Sequence, residues 1–269
     1  MTISILGCGW YGKALATALI NSGNIVKGSS TSPKKMEMLY NVGIVPYLVD
    51  IKPDREANDA GFFDCDLLVI SIPPKTRQGE GPGYLQKIQR VIEAAVEHHV
   101  TKVIYISSTA VYEELNGEVN ELNIPVPDTE SGKILFEAEN LFKAQIAFKT
   151  TIIRFAGLVG PGRHPGRFFS GKKAIPNGLA PVNLVHLDDC IGITRSIIDR
   201  KAFGYLFNVA APDHPAKSAF YTRATLQAGL IEPEFINELG SWKIISSVRL
   251  HELLNYRFKV SSWTNFLFN

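Results

Sequence analysis

Short apolar runs alternate with longer segments of helical period over the first 155 residues of the chain. The runs are rich in Val and Ile and almost continuously apolar, which is typical of strands that are covered on both faces. Alternation of such strands with helices predicts βαβ units and one parallel sheet. The predicted strands are 2–6, 24–28, 44–49, 67–72, 102–107 and 150–155, and the predicted helices are 10–22, 33–41, 83–98 and 131–147.

The pattern changes after residue 156, where a segment rich in Gly, Pro and Arg shows no clear period, GLVGPGRHPGRFFSGKKAIPNGLAP. Irregular segments of this length inside a compact domain are usually functional. A strand and a helix return in VNLVHLDDCIGITRSIID, and Asp188 or Asp189 is the predicted helix cap. Order also returns in YLFNVA, followed by a predicted helix near 216–229, a strand at 243–246 and a final helix at 247–255.

This pattern divides the chain into two parts. Residues 1–160 are expected to form an α/β domain with a doubly wound parallel sheet of the Rossmann type, to which residues 180–200 return. Residues 161–269 are expected to form mostly a small C-terminal α+β lobe that closes over the sheet and contacts a substrate.

Composition limits the classes of binding partner that are expected. The formal charge is +2 with a pI near 8.3, and the basic residues are scattered, so we expect neither nucleic acid nor a membrane surface. Cys8, Cys65 and Cys190 are too widely spaced to predict a disulfide framework or a metal site. The chain shows neither a signal-peptide pattern nor a long apolar run, so a cytoplasmic location is expected. A monomer or a homodimer is also expected.

The segment LGCGWYG places three glycines in the order GxGxxG between the first strand and the first helix. Gly7 permits a tight turn, Gly9 lets the backbone approach a pyrophosphate, and Gly12 lets the helix pack on the strand. The alternative is that the glycines serve only the turn. The residues predicted to contact a dinucleotide are Gly7, Gly9, Trp10, Tyr11, Gly12, Ser30, Thr31, Ser32, Asp50, Ile72, Pro73 and Ser107.

The end of the second strand bears on the choice of dinucleotide. An acidic residue there would bind the ribose 2′-hydroxyl of NAD, but the sequence is GSSTSPKK, with Ser30 near the expected position. Hydroxyls followed by Lys34 and Lys35 favour the 2′-phosphate of NADP, so NADP is the preferred cofactor and NAD the alternative. In a second interpretation Ser32 caps a helix and the lysines are solvated.

Five segments together resemble the extended short-chain dehydrogenase/reductases, which include nucleotide-sugar epimerases and dehydratases. They are YISSTAVY, RFAGLVGPGR, NLVHLDDCIG, YLFNVAAP and KIISSVRLHELLNYRFK, and they span nearly the whole chain. The GxGxxG form of the glycine loop resembles an atypical subgroup of uncharacterised epimerase-like proteins. The resemblance implies NAD(P) binding and redox chemistry.

The family's catalytic residues are matched only in part. The resemblance places the active-site Ser at Ser108. Counting back from Glu139 places the catalytic Tyr and Lys of the family at Ser131 and Leu135, which cannot act as that pair. Lys133 lies two residues from the Lys position and is predicted to point away from the site.

Few residues could replace the lost proton donor. Tyr112 and His186 are the candidates, although the resemblance favours a structural role for both. Arg163, His164 and Arg167 cluster in the glycine-rich loop and are predicted to bind a substrate phosphate or carboxylate. The alternative is that the two arginines form ion pairs with the acidic LDD segment.

We therefore expect an NAD(P)-dependent oxidoreductase acting on a small polar or nucleotide-linked substrate without the usual Tyr-Lys pair. The alternative is a non-catalytic protein that binds NAD(P) as a sensor.

Overall fold

The computed structural model describes residues 1–52, 60–76, 79 and 81–268. The strands are β1 (Thr2–Leu6), β2 (Ile25–Ser30), β3 (Val45–Leu48), β4 (Leu67–Ile70), β5 (Lys102–Ser108), β6 (Gly117–Val119), β7 (Lys149–Phe155), β8 (Gly157–Val159), β9 (Leu184–His186), β10 (Leu206–Val209) and β11 (Lys243–Ile245). The helices are α1 (Trp10–Ile20), α2 (Met36–Tyr40), α3 (Ala60–Phe63), α4 (Tyr84–Glu97), α5 (Glu130–Ala144), α6 (Leu187–Asp199), α7 (Lys217–Gln227) and α8 (Arg249–Glu252).

Seven strands form one parallel sheet in the order β10-β7-β5-β4-β1-β2-β3. The six predicted strands all lie in it, and the prediction missed only that YLFNVA supplies a seventh, β10, at the edge beside β7. The strand order reverses at β1, which pairs with β2 on one side and β4 on the other. Ligands of open α/β sheets bind at such a reversal, beyond the carboxyl ends of the strands.

Helices cover both faces of the sheet, as the continuously apolar strands require. One hydrophobic core contains buried side chains of α4 and α5, among them Ile88 and Phe142. The core on the other face contains buried side chains of α1 and α6, among them Leu15 and Ile193. The architecture is therefore the predicted doubly wound Rossmann sheet.

The C-terminal part adds small elements to this sheet. β8 pairs with β9 and β6 pairs with β11, both in parallel. A third hydrophobic cluster joins Phe220 of α7 to the fully buried Trp263. The final helix, α8, is shorter than the predicted 247–255.

Two helix starts differ from prediction. α2 is preceded by a 3-10 turn at Pro33–Lys35, and Ser32 occupies the N-cap position without a side-chain hydrogen bond. The predicted capping of α6 by Asp188 or Asp189 is wrong, because His186 is the N-cap and its Nδ1 accepts from the Asp188 N–H. Both aspartates lie in the first turn, where the positive end of the helix dipole stabilises their negative charges.

The described part of the chain contains no helix that is long and apolar enough to cross a membrane.

Candidate dinucleotide-binding site

The glycine loop joins β1 to α1, and a different steric feature explains the glycine at each of its three positions. Gly7 has a φ of +98°, which favours glycine. A Cβ on Gly12 would lie 2.3 Å from the Gly7 carbonyl oxygen, so the helix could not pack this closely with any larger residue. A Cβ on Gly9 would meet nothing within 4 Å. The space beside Gly9 is therefore open to a ligand.

The N-terminus of α1 is suited to an anion. Gly9 is the N-cap and provides no side-chain hydrogen bond, and the first turn contains no acidic residue. The first helical hydrogen bond is donated by the Lys13 N–H to the Gly9 carbonyl, which leaves the preceding amides of the first turn without helical acceptors. Unpaired N–H groups and the helix dipole together favour a phosphate group at this position.

A cleft of about 310 Å³ opens beside this loop at the carboxyl ends of β1, β2, β3 and β4. Its lining includes the predicted residues Gly7, Gly9, Ser30, Thr31, Asp50, Ile72 and Pro73. Ser29, one of the hydroxyls of the GSSTSPKK segment, also lines it. Sequence reasoning missed several lining residues outside the glycine motif, namely Ser71, Lys75, Tyr84 and Lys87. Ser71 could have been found, because it directly follows β4 and strand ends line such clefts.

Hydrogen bonds hold the cleft wall in shape. Ser29 Oγ accepts from the Gly7 N–H at 2.8 Å, and Ser71 Oγ donates to the Gly7 carbonyl at 2.8 Å. Tyr84 donates its hydroxyl proton to the Ile72 carbonyl at 2.9 Å. The glycine loop, β2, β4 and α4 are thus joined at one point of the molecule.

The outer end of the cleft contains polar and charged side chains. Ser30, Thr31 and Lys35, at and after the end of β2, line the cleft together with Asp50, which follows β3. Ser30 Oγ accepts from the Ser32 N–H at 3.1 Å, so the serine-rich turn is ordered from within. Ser32 itself does not line the cleft.

Some predicted contacts point elsewhere. The Tyr11 side chain is buried, and its hydroxyl bonds with Thr194 Oγ1 of α6 at 2.8 Å. Ser107 is also buried and donates to Glu139 Oε1 at 2.7 Å. These placements argue against side-chain contact of Tyr11 or Ser107 with a dinucleotide. Trp10 and Gly12 belong to α1 beside the cleft without lining it.

Ser108 ends β5 and is half-buried. Its Oγ accepts from the Ala110 N–H at 3.2 Å, an interaction that leaves the hydroxyl proton available to a ligand. A Cβ on Gly132 would lie 2.2 Å from the Ala110 carbonyl oxygen, so the start of α5 packs directly on the turn after Ser108. The serine and the helix therefore lie together, as the resemblance implied.

α5 contains no tyrosine. Ser131 is half-buried in its first turn, and Leu135 is buried in the hydrophobic core that α4 and α5 share. Lys133 is exposed, which agrees with the prediction that it points away. Because α5 begins at Glu130, a late helix start cannot bring Lys133 to the Lys position.

A buried polar network accounts for Tyr112. Arg154 of β7 forms two hydrogen bonds with Glu139 of α5, from Nε to Oε1 at 2.8 Å and from Nη2 to Oε2 at 2.5 Å. Arg154 Nη1 also donates to the Tyr112 hydroxyl oxygen at 2.6 Å, and that hydroxyl has acceptors in the Asn120 carbonyl and Asn208 Oδ1. Burial raises the pKa of Tyr112, although Arg154 opposes the shift. Tyr112 is thus a neutral phenol whose hydroxyl accepts from Arg154 and finds acceptors for its own proton within the protein.

The side chain of His186 is also engaged in structural contacts. Its Nδ1 caps α6, its ring packs on Phe266 with centroids 5.2 Å apart, and only 7% of the residue is exposed. Burial lowers the pKa of His186, although the nearby Asp188 and Asp189 oppose the shift. The imidazole is therefore neutral at neutral pH, and its geometry supports the structural role.

The glycine-rich loop after β8 packs against the first residue of α1. The indole Nε1 of Trp10 donates to the Pro161 carbonyl at 2.7 Å, and the Arg163 guanidinium lies over the Trp10 ring, 5.5 Å from its centroid. Arg163 and Arg167 are exposed. His164 Nδ1 accepts from the Gly166 N–H at 3.1 Å. Burial lowers the pKa of His164, and the positive charge of Arg167 lowers it further.

The alternative of ion pairs between these arginines and the acidic segment is wrong. Asp189 accepts instead from the Tyr256 hydroxyl and from the N–H groups of Lys259 and Val260. Asp188 lies beside His186, with Oδ2 3.6 Å from the imidazole Nδ1. The two guanidinium groups are therefore available to ligands.

No protein-family model matches the chain. Among curated proteins, the protein YeeZ of Escherichia coli K12 is 39% identical over 266 residues, which cover 96% of this chain and 95% of YeeZ.

Two solved structures have a similar fold. One is a conserved protein of unknown function from Silicibacter pomeroyi, with 24% identity, a TM-score of 0.78, and coverage of 96% of this chain and 93% of that one. The other is a UDP-glucuronic acid 4-epimerase from Bacillus cereus in complex with UDP-glucuronic acid and NAD, with 20% identity, a TM-score of 0.78, and coverage of 97% and 95%. Together with the fold described above, these comparisons show that the chain belongs to the family of the Escherichia coli protein YeeZ and has the fold of the extended short-chain dehydrogenase/reductases.

Proposed function

We propose that this chain binds a nicotinamide dinucleotide in the cleft at the carboxyl ends of β1 to β4. The observation that carries the proposal is the uncapped N-terminus of α1 beside the open space at Gly9. A pyrophosphate there would accept hydrogen bonds from backbone amides. The adenosine half would extend toward Ser30 and Asp50.

The choice between NAD and NADP depends on the outer end of the cleft. Ser30, Thr31 and Lys35 offer two hydroxyls and a cation to a 2′-phosphate, which is the argument for NADP. The epimerase of similar fold from Bacillus cereus contains NAD. The comparisons thus give no support to an NADP preference, which rests on these three side chains.

A bound dinucleotide would supply a hydride donor or acceptor, and the chain would supply the means to hold a carbonyl group near it. Ser108 can donate its hydroxyl proton to such a carbonyl. The exposed loop around Arg167 can bind an anionic substituent. We therefore propose an oxidoreductase on a small polar or nucleotide-linked substrate, active without a Tyr-Lys pair.

The second candidate is a sensor that binds the dinucleotide without turnover. The hydrogen bonds of Tyr112 and His186 favour it, because they occupy the two side chains that could have replaced the missing proton donor. α5 offers no tyrosine in their place.

Calorimetric titration with NAD, NADH, NADP and NADPH tests the proposal, with the wild type and Gly9→Ala compared. The Gly9→Ala variant is expected to fold normally, since its Cβ meets no protein atom. It is expected to bind at least about tenfold more weakly, since the methyl group blocks the close approach of the backbone to the pyrophosphate.

Gly117→Ala is the matched control, because a Cβ there has only the Leu115 carbonyl at 4.0 Å and lies outside the cleft. Absence of binding by the wild type would refute the proposed function. Assays of NADH and NADPH oxidation, and of NAD and NADP reduction, with UDP-glucose and UDP-glucuronic acid then separate the two candidates. Turnover refutes the sensor, and binding without turnover supports it.

A further inference from the structure

We infer that Arg163 binds the pyrophosphate of the dinucleotide and that Trp10 is the residue that positions it there. The inference rests on the proposed function, and it assigns Arg163 to the cofactor rather than to the substrate. Three observations support it: the position of Trp10 on α1, the contacts of the loop with the indole, and the charge at the helix end.

Trp10 is the first residue of α1 and directly follows the N-cap Gly9. The Cα–Cβ bonds of a helix tilt toward its N-terminus. The indole therefore extends from the end of the helix that carries the unpaired amides. The Trp10 side chain reaches from the glycine loop to Pro161, which lies 151 residues further along the chain.

The loop is fixed to this indole at three points. Trp10 Nε1 donates to the Pro161 carbonyl at 2.7 Å, and a Cβ on Gly160 would lie 3.4 Å from Trp10 Cζ2, so the backbone passes close to the ring. The guanidinium of Arg163 lies over the ring at 5.5 Å from its centroid. Gly160 and Arg163 also close the turn by backbone hydrogen bonds in both directions.

Arg163 is held by this geometry without being neutralised. None of the ion pairs found among the described residues includes Arg163. The residue is also exposed, so its charge can reach a ligand. The cation–π contact fixes the position of the charge without cancelling it. Arg167 lies in the same loop and is also exposed, but the cation–π contact with Trp10 is formed by Arg163.

The charges are complementary to a pyrophosphate. The end of α1 offers N–H groups and a partial positive charge but no cationic side chain in its first turn before Lys13. A guanidinium can form two parallel hydrogen bonds with phosphate oxygens. Arg163 would add a full positive charge to the partial charge of the α1 amides. The two sets of donors would then come from segments that are distant in sequence.

The experiment measures the dissociation constants of ADP-ribose, which contains the pyrophosphate, and of adenosine, which lacks it. Arg163→Ala and Trp10→Leu are each expected to weaken ADP-ribose binding by about tenfold while leaving adenosine binding unchanged. Arg163→Lys and Trp10→Phe are expected to restore part of the loss, since the first retains the charge and the second the aromatic ring. The double variant Arg163→Ala/Trp10→Leu should be no weaker than either single variant, because both remove the same interaction.

Arg200→Ala is the control, because Arg200 is an exposed arginine at the C-terminal end of α6 and lies outside both loops. This variant is expected to bind both ligands as the wild type does. Wild-type affinity of Arg163→Ala for ADP-ribose would overturn the inference but not the proposed function. Equal losses for ADP-ribose and adenosine would also overturn it, because they indicate a general disturbance of the cleft. Absence of ADP-ribose binding by the wild type would refute the proposed function together with the inference.

Discussion

At the scale of single residues, Glu139 shows how a charge can be kept inside this fold. The carboxylate has no exposed surface and accepts from Arg154, from the Ser107 hydroxyl at 2.7 Å and from Lys143 Nζ at 3.4 Å. Burial of an isolated carboxylate would be very costly, so these donors are needed to offset the loss of hydration. Glu139 also holds the end of β5, and with it Ser108, against α5.

Replacement of Glu139 by Gln should therefore lower the free energy of unfolding by about 3–5 kcal/mol, because it leaves the Arg154 charge buried without its partner. Urea unfolding measures the effect. The matched control is Glu93→Gln, which removes an exposed pair with Arg90 at 2.9 Å and should cost no more than about 0.5 kcal/mol. Similar losses in the two variants would contradict the account of the buried pair.

At the scale of elements, the start of α6 depends on an unusual cap. His186 accepts the Asp188 N–H through Nδ1, which requires that nitrogen to be unprotonated. Burial lowers the pKa of this histidine in the folded protein. As the pH falls below about 6.5, the unfolded chain takes up the proton first, so the stability of the folded state decreases.

The variant His186→Asn should lose this contribution to the pH dependence, since Asn also caps helices but does not titrate. Chemical unfolding at pH 7.5 and pH 5.5 should show a smaller decrease for the variant than for the wild type. The residual decrease should reflect His164 and His214, whose pKa values are also lowered by burial. The exposed His251→Asn serves as the control. An unchanged pH dependence in His186→Asn would rule out this role of the cap.

At the scale of the whole molecule, Asp189 fastens the C-terminal segment to the sheet domain. It is fully buried, and its oxygens accept from the Tyr256 hydroxyl at 3.0 Å and from the N–H groups of Lys259 and Val260 at 2.7 and 3.0 Å. The segment that follows contributes Trp263 to the third hydrophobic cluster. One carboxylate thus joins two cores that are formed by distant parts of the chain.

Asp189→Ala should lower the free energy of unfolding by about 3 kcal/mol, since it removes hydrogen bonds to a charged group and leaves buried donors unpaired. Hydrogen exchange should increase most in residues 256–263. Asp199→Ala, at the exposed end of α6, is the control and should change neither quantity appreciably. A uniform increase in exchange over the whole chain would contradict a local fastening role.

The sequence determined the sheet of this protein, because its information is local. Continuously apolar strands, helices of regular period and the GxGxxG spacing depend on neighbours within one or two turns, and they sufficed to predict six of the seven sheet strands and the glycine loop. The same locality explains the errors: Asp188 and Asp189 look like helix caps beside α6, while the actual cap is His186.

Only the tertiary structure decided which polar groups meet. Trp10 and Pro161 lie 151 residues apart in sequence, Tyr112 and Arg154 lie 42 apart, and Asp189 and Val260 lie 71 apart. No period or motif records such pairs, because they form only when packed helices and strands bring buried donors to acceptors that water can no longer reach. That packing gave Tyr112 and His186 their structural roles and left the end of α1, Ser108 and Arg163 available to ligands.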